Sequence, residues 1–188
     1  MLISSLDEAG RWQVFEIGVE GKAPRQVTRG DQPDVDNYDA CYLPDERIMF
    51  ASTRCFAGVP CVGGGSPVAN VVLLDPKTGH ERQLCFDQDH NFYPSIMADG
   101  RVLYTRWEYS DTPHYFSRLL FHMNPDGTAQ MVYYGNQQAG TVMIDAKFIT
   151  GSCIDTGPTA NIKCLTEADM NGLGERINST LADLREDI

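Results

Sequence analysis

Up to about residue 150 the apolar and polar positions alternate in short runs separated by turn-forming residues, which is the period of strands. The clearest runs are Arg11 to Ile17 (RWQVFEI), Arg47 to Thr53 (RIMFAST), Ala69 to Asp75 (ANVVLLD), Arg101 to Trp107 (RVLYTRW) and Ser117 to Met123 (SRLLFHM). Helical apolar spacing is absent there and emerges only from Thr166. Thr166 with Asp169 makes an N-terminal box, and Ile177, Leu181 and Leu184 recur at helical intervals. The pattern predicts a β domain over residues 1–150 and an atypical tail of loop plus helix over 151–188.

The strands repeat. Leu43-Pro44-Asp45-Glu46-Arg47-Ile48 returns as Met97-Ala98-Asp99-Gly100-Arg101-Val102, each time between an aromatic-led strand and an apolar one. Val19-Glu20-Gly21, Lys77-Thr78-Gly79 and Pro125-Asp126-Gly127 correspond as well, followed by Arg25-Gln26-Val27, Arg82-Gln83-Leu84 and Gln130-Met131-Val132. Four antiparallel strands in a repeat of about 50 residues are the mark of a β-propeller blade, a small sheet that must stack on neighbours to bury both faces. Residues 1–29 then form the outer part of one blade, 37–86 a complete blade and 92–134 another, and a fourth begins at Thr141 (TVMIDAKFI). The expected fold class is all-β: a partial propeller of about three four-stranded blades with a short C-terminal helix. The change of text after residue 150 fits a capping helix, and it also fits a frameshift or fusion. Both leave an incomplete ring, because six blades need around 300 residues.

Strand parity places the candidate chemistry. In a meander the first-to-second and third-to-fourth connections share one face of a propeller, and the second-to-third connections and blade links share the other. Only tight turns fall on the first face. On the second fall the links Gly30 to Tyr38 and Phe86 to Tyr93 and the loops Arg54 to Val68 and Glu108 to Phe116. Candidate ligand-binding residues on that rim are Arg106, Trp107, Glu108, Asp111, His114, Tyr115 and His90, since aromatic faces give contact area and an Arg or Glu gives orientation. A packing corner between blades explains the same group equally well. Asp87, Asp89, His90 and His114 are a weak metal set, and Asp34, Asp36 and Asp39 add carboxylates. The spacing matches no calcium loop, and loop aspartates commonly cap backbone amides instead. No serine sits on a G-x-S-x-G turn, so no catalytic residue is assigned.

Charge and cysteines narrow the classes. Fifteen basic against 26 acidic residues give a net charge of −11 over 188 residues, which argues against a nucleic-acid partner. No apolar run reaches the roughly 18 residues of a membrane span, and the start turns acidic early for a secretory signal. Cys55 and Cys61 flank a short Gly-Pro loop and could pair as a disulfide. Cys41 and Cys85 read as buried thiols within strands. No C-x-x-C-H is present, so no covalent haem is expected, and a metal ion is left open.

The segments DNYDACYLPDERIMFASTRCFAGVPCVGG, RQLCFDQDHNFYPSIMADGRVLYTRWEYSDTPHYFSRLLFHMNPDGT and GTVMIDAKFI resemble the middle domain of the hydrazine synthase alpha subunit and its bacterial relatives. More distantly, the repeat resembles TolB-type propellers. The resemblance covers roughly residues 10 to 150 and implies a six-bladed propeller in an exported, periplasmic or extracellular protein. A haem-bearing domain carries the redox chemistry in that family, and nothing in this chain corresponds to it, so the activity is not implied.

The expected function is a non-catalytic propeller module or fragment that binds a ligand or partner domain through the loop-rich rim. The alternative is a subunit of an exported metal- or haem-dependent redox enzyme that contributes rim His and Asp residues. A third reading is a remnant of a longer gene. The expected partners are a protein domain or the remaining blades, or a second copy meeting an open sheet edge.

Overall fold

The computed structural model describes residues 1–18, 23–60, 63–107, 118–135 and 142–147. All belong to the compact unit Met1–Phe148. Eleven strands are described: β1 (Leu2–Leu6), β2 (Trp12–Glu16), β3 (Arg25–Gln26), β4 (Asn37–Tyr42), β5 (Ile48–Ser52), β6 (Asn70–Asp75), β7 (His80–Gln83), β8 (Asn91–Ile96), β9 (Val102–Trp107), β10 (Arg118–Met123) and β11 (Met131–Tyr134). They form antiparallel meanders in chain order: a three-stranded sheet β1-β2-β3, then two four-stranded sheets, β4 to β7 and β8 to β11. The protein is an all-β partial propeller. The expected C-terminal helix lies outside the described residues.

Side-chain alternation explains the stacking. In the middle sheet, Met49, Val71 and Leu73 join Val102, Tyr104, Phe121 and Met123 of the third sheet in one core. The alternate residues Ile48, Phe50, Val72 and Leu74 turn the other way and pack with Val14 of the first sheet. Both faces of β5 are therefore buried, so it reads as a continuous apolar run instead of an alternating one. Buried amides join the sheets as well. Asn37 Nδ2 donates to Gln13 Oε1 (2.9 Å) and, one repeat later, Asn91 Nδ2 donates to Asn70 Oδ1 (2.6 Å).

The turn read from the sequence as a repeat is one structure built twice. The backbone N–H of Leu43 donates to Arg47 O and that of Met97 to Arg101 O, each at 2.8 Å. Arg47 and Arg101 each reach back to the turn aspartate, Asp45 or Asp99, at 2.7 Å. The residue before each arginine is left-handed: Gly100 at φ 83° and Glu46 at φ 72°.

The innermost strands carry a second shared device. The β4–β5 ladder shifts register between Tyr38 and Cys41, and the β8–β9 ladder between Phe92 and Ser95. The residues inside the two bulges, Asp39 and Tyr93, have φ of 55° and 57°. Residues 142–147 repeat this geometry with Asp145 at φ 53°. They form no strand, where the sequence predicted the start of a fourth blade, but they occupy an innermost position. The Met143 N–H donates to Arg118 O (3.0 Å) just as the Asn91 N–H donates to Ala69 O (2.8 Å).

Candidate functional site

Three of the seven ligand candidates are described, and two of them, Trp107 and His90, meet at one corner. The Trp107 N–H donates to His90 O (2.9 Å), and the indole stacks on the imidazole with centroids 5.7 Å apart. On the same indole the Arg118 guanidinium sits 4.3 Å from the ring centroid. Trp107 is only 6% exposed and packs with Val59 and Val68. Arg106 pairs with Asp87 (2.5 Å) and lies over the Phe121 ring at 4.9 Å. The packing of Trp107 between His90, Arg118 and Val59 fits the packing-corner reading for the described part of this group. Glu108, Asp111, His114 and Tyr115 lie outside the described residues.

The same corner bears on the metal set. His90 Nδ1 accepts from the Ala69 N–H (3.1 Å), so the neutral ring carries its proton on Nε2 and presents no free lone pair to a cation. Burial, with help from Arg118, holds its pKa below the usual histidine value, which keeps the ring neutral. Asp87 accepts from Asn91 Nδ2 (2.8 Å) besides holding Arg106. Among the described residues no three His, Cys, Asp or Glu side chains gather as a metal site requires. Asp89 is buried, and His114 lies outside the described residues.

Cys55, one half of the bridge suggested by the sequence, is a free thiol whose Sγ donates to Val68 O (3.2 Å). Cys61 lies outside the described residues. Cys41 is within β4 as expected, whereas Cys85 follows β7 instead of lying in it. Burial pushes both thiols up to about 12, so they act as apolar groups.

A different group lines the channel side. Ser4 of β1, Trp12 of β2, Tyr38 and Asp39 of β4 and Tyr93 of β8 surround a cavity of about 290 Å³. The bulges create it, because a left-handed residue leaves the ladder and turns its neighbours toward the axis. The Asp39 N–H is satisfied by Ser4 Oγ (3.1 Å). Burial raises the Asp39 carboxyl to about 6, and Asp145 adds to this while Lys147 opposes it. Burial and the Asp39 and Asp36 charges hold the Tyr38 hydroxyl well above the usual phenol range. One carboxylate among three aromatic rings suits a cation, attracted by the ring faces and the charge together. Trp12, Tyr38 and Tyr93 were not singled out from the sequence. The αL conformation at equivalent repeat positions, which assembles them, has no residue signature in Asp, Tyr and Asp.

No protein-family model matches the chain, and no curated protein matches it. Solved structures do. Hydrazine synthase of Kuenenia stuttgartiensis superposes with a TM-score of 0.58 at 16% identity over 72% of this chain and 24% of that one. A TolB protein of Agrobacterium tumefaciens gives 0.54 at 13% identity over 71% and 44%. TolB of Acinetobacter baumannii gives 0.50 at 19% identity over 70% and 29%. The fold is a TolB-like propeller. This chain spans less than half the length of each of these three structures, and at such identities the likeness establishes the fold only.

Within a TolB-like propeller the channel cavity has a definite place. Asn37 and Asn91 start the innermost strands, directly after the blade links. The bulges at Asp39 and Tyr93 therefore lie toward the loop-bearing face. Among the described residues no helix is long and apolar enough to cross a membrane.

Proposed function

We propose that this chain is a non-catalytic binding module that captures a cationic group, of a small ligand or of a partner domain, at the loop-bearing end of its channel. The observation that carries this reading is the cavity walled by Trp12, Tyr38 and Tyr93 with the Asp39 carboxylate on its rim. Two further features support it. The long connections, such as the loop between β5 and β6, fall on one face, while the other carries tight turns such as Leu43–Arg47. The net charge of −11 would also steer cations toward the molecule. The loop-rich rim around the cavity is the surface for the rest of the partner.

The sequence segments above and the TolB-like fold support reading the chain as a relative of the hydrazine synthase alpha-subunit middle domain, and an exported location goes with that reading. A metal- or haem-dependent role for the rim is less well supported, because the lone pair on His90 Nδ1 already accepts from the Ala69 N–H.

Trp12 gives a direct test, since its fluorescence reports on the cavity. Titration with N-acetylarginine amide should quench it with saturation, and the neutral isostere N-acetylcitrulline amide should not. Asp39→Asn should weaken the arginine response at least tenfold. Equal responses to the two amides would overturn the reading.

A further inference from the structure

Two phenylalanines attached to the middle sheet, which its neighbours pack on both faces, are left in water. Phe56, in the loop from β5 to β6, is 70% exposed, and Phe86, in the link from β7 to β8, is 79% exposed. Neither ring contributes to the core. Phe56 carries a further cost, because its backbone is left-handed at φ 50°, a conformation that strains a bulky side chain. Such strain persists only where the surrounding structure imposes it, and it gathers at sites that bind.

Both rings stand on fixed backbone. Phe56 lies between Cys55 and Ala57, which pack against the Val59, Val68 and Trp107 cluster. Its N–H donates to Thr53 O (3.1 Å), and further along the loop the Val68 N–H donates to Ala57 O and the Val59 N–H to Ser66 O, each at 2.8 Å. The loop folds back so closely that Gly58 has no room for a Cβ against the Gly64 backbone. Phe86 lies between the buried Cys85 and Asp87, whose carbonyl accepts from Asn70 Nδ2 (3.2 Å) and whose carboxylate pairs with Arg106. The two segments meet where the Ala69 N–H donates to His90 Nδ1 (3.1 Å). A ring held out in this way loses little freedom when a partner covers it.

We propose that Phe56 and Phe86 are the apolar anchors of a protein-docking surface whose occupant is a polypeptide segment with apolar side chains beside lysine or arginine. Charge selects that occupant. The links on the loop-bearing side, residues 30–38 and 86–93, carry Asp31, Asp34, Asp36, Asp87 and Asp89 and no lysine or arginine. The arginines at the corner are committed, Arg54 to Glu81 and Arg106 to Asp87. Asp31 and Asp34 stand exposed, the latter even in its ion pair with Arg11. An anionic lipid surface, or a second copy at a net charge of −11, would meet like charge there. Exposed rings on an acidic face match apolar and basic side chains together, as aromatic anchors within a polar rim do at protein interfaces. The surface rests on the binding-module reading above and names its partner as a polypeptide, but it does not depend on the channel cavity.

A random dodecapeptide library displayed on phage and panned on the full chain supplies the probe. Enriched peptides should combine lysine or arginine with aliphatic or aromatic residues. No enrichment, or enriched peptides that are acidic or lack apolar residues, would overturn the proposal. With an enriched peptide made synthetically and followed by fluorescence anisotropy, Phe86→Ala and Phe56→Asn should each weaken binding roughly tenfold or more. Unchanged affinity in either variant would overturn it. Phe56→Asn also separates docking from folding, because asparagine tolerates the left-handed backbone. This variant should melt at or above the wild-type temperature while binding more weakly, and a lower Tm would assign the ring to the fold instead. The Trp12 response to N-acetylarginine amide keeps the two sites apart. Its absence with peptide binding intact would sink the channel reading alone, and a normal response with no peptide binding would sink only the docking surface.

Discussion

The Trp107 indole and the His90 imidazole lie nearly parallel, 10° apart in plane, and the same two residues are joined by a backbone hydrogen bond. The ring contact and the ladder contact thus lock the blade link to the second strand of the third sheet. Truncating the indole would open a cavity against Val59 and Val68 and uncover the imidazole. Trp107→Ala should cost about 3–5 kcal/mol in urea unfolding. Trp107→Phe, which keeps a ring, should cost well under half of that. A loss below about 1 kcal/mol for the alanine variant would show that the corner is not part of the core.

The same histidine makes stability depend on pH. Its folded-state pKa is depressed, by burial first and Arg118 second, so the unfolded chain takes up the proton more readily. Stability from this group is complete above the unfolded value near 6.5 and falls as pH drops through the folded pKa. His90→Gln should flatten that part of the profile, which denaturation midpoints between pH 7.5 and 5 would reveal. An unchanged slope would mean that the ring is not held neutral.

Glu46 occupies a left-handed position that Gly100 fills in the next repeat. A side chain there costs roughly 1–2 kcal/mol in strain, and the exposed ion pair with Lys77 offsets little of it. Glu46→Gly should therefore stabilise the protein by about 1 kcal/mol, a net gain despite the lost ion pair. Thermal unfolding checks this, and a fall in Tm would show that the ion pair dominates.

Asp39 has the opposite pH sign from His90. Its folded pKa of about 6 lies above the unfolded 3.8. Stability from its neutral form is fully present below the unfolded value and is lost as pH rises through about 6. Asn tolerates the left-handed backbone and stays neutral. Asp39→Asn should match the wild type near pH 4 and exceed it by about 1 kcal/mol at pH 7.5, after allowing for solvent screening of a part-exposed group. Cation binding should show the reverse, strengthening in the wild type as pH rises through 6. A carboxyl resonance of Asp39 titrating near 4 would contradict both.

Most of the fold was legible because propeller strands announce themselves locally. Ile48–Ser52 and Val102–Trp107 are apolar runs bounded by Asp-Glu-Arg and Asp-Gly-Arg turns, and the repeat of those turns carried the blade count. The rim residues were legible as a group, but their role was not. Whether Trp107 offers its face to solvent or to Val59 depends on packing between segments far apart in sequence. The channel group was hidden for a different reason. Asp39 and Tyr93 share a backbone conformation without sharing a residue type, and the period-two pattern of a strand is silent about a bulge. Residues 142–147 were visible as strand-like text, yet among the described residues they join no strand ladder.

The bulges at Asp39 and Tyr93 separate two jobs that a strand usually performs with the same residues. The ladder on either side holds the blade together, while the bulged residue has left it and contributes little to the pairing. Each repeat therefore carries one position facing the axis whose side chain can change with small effect on folding. A propeller built this way can exchange its ligand one blade at a time, like a lock whose pins are cut separately from its housing.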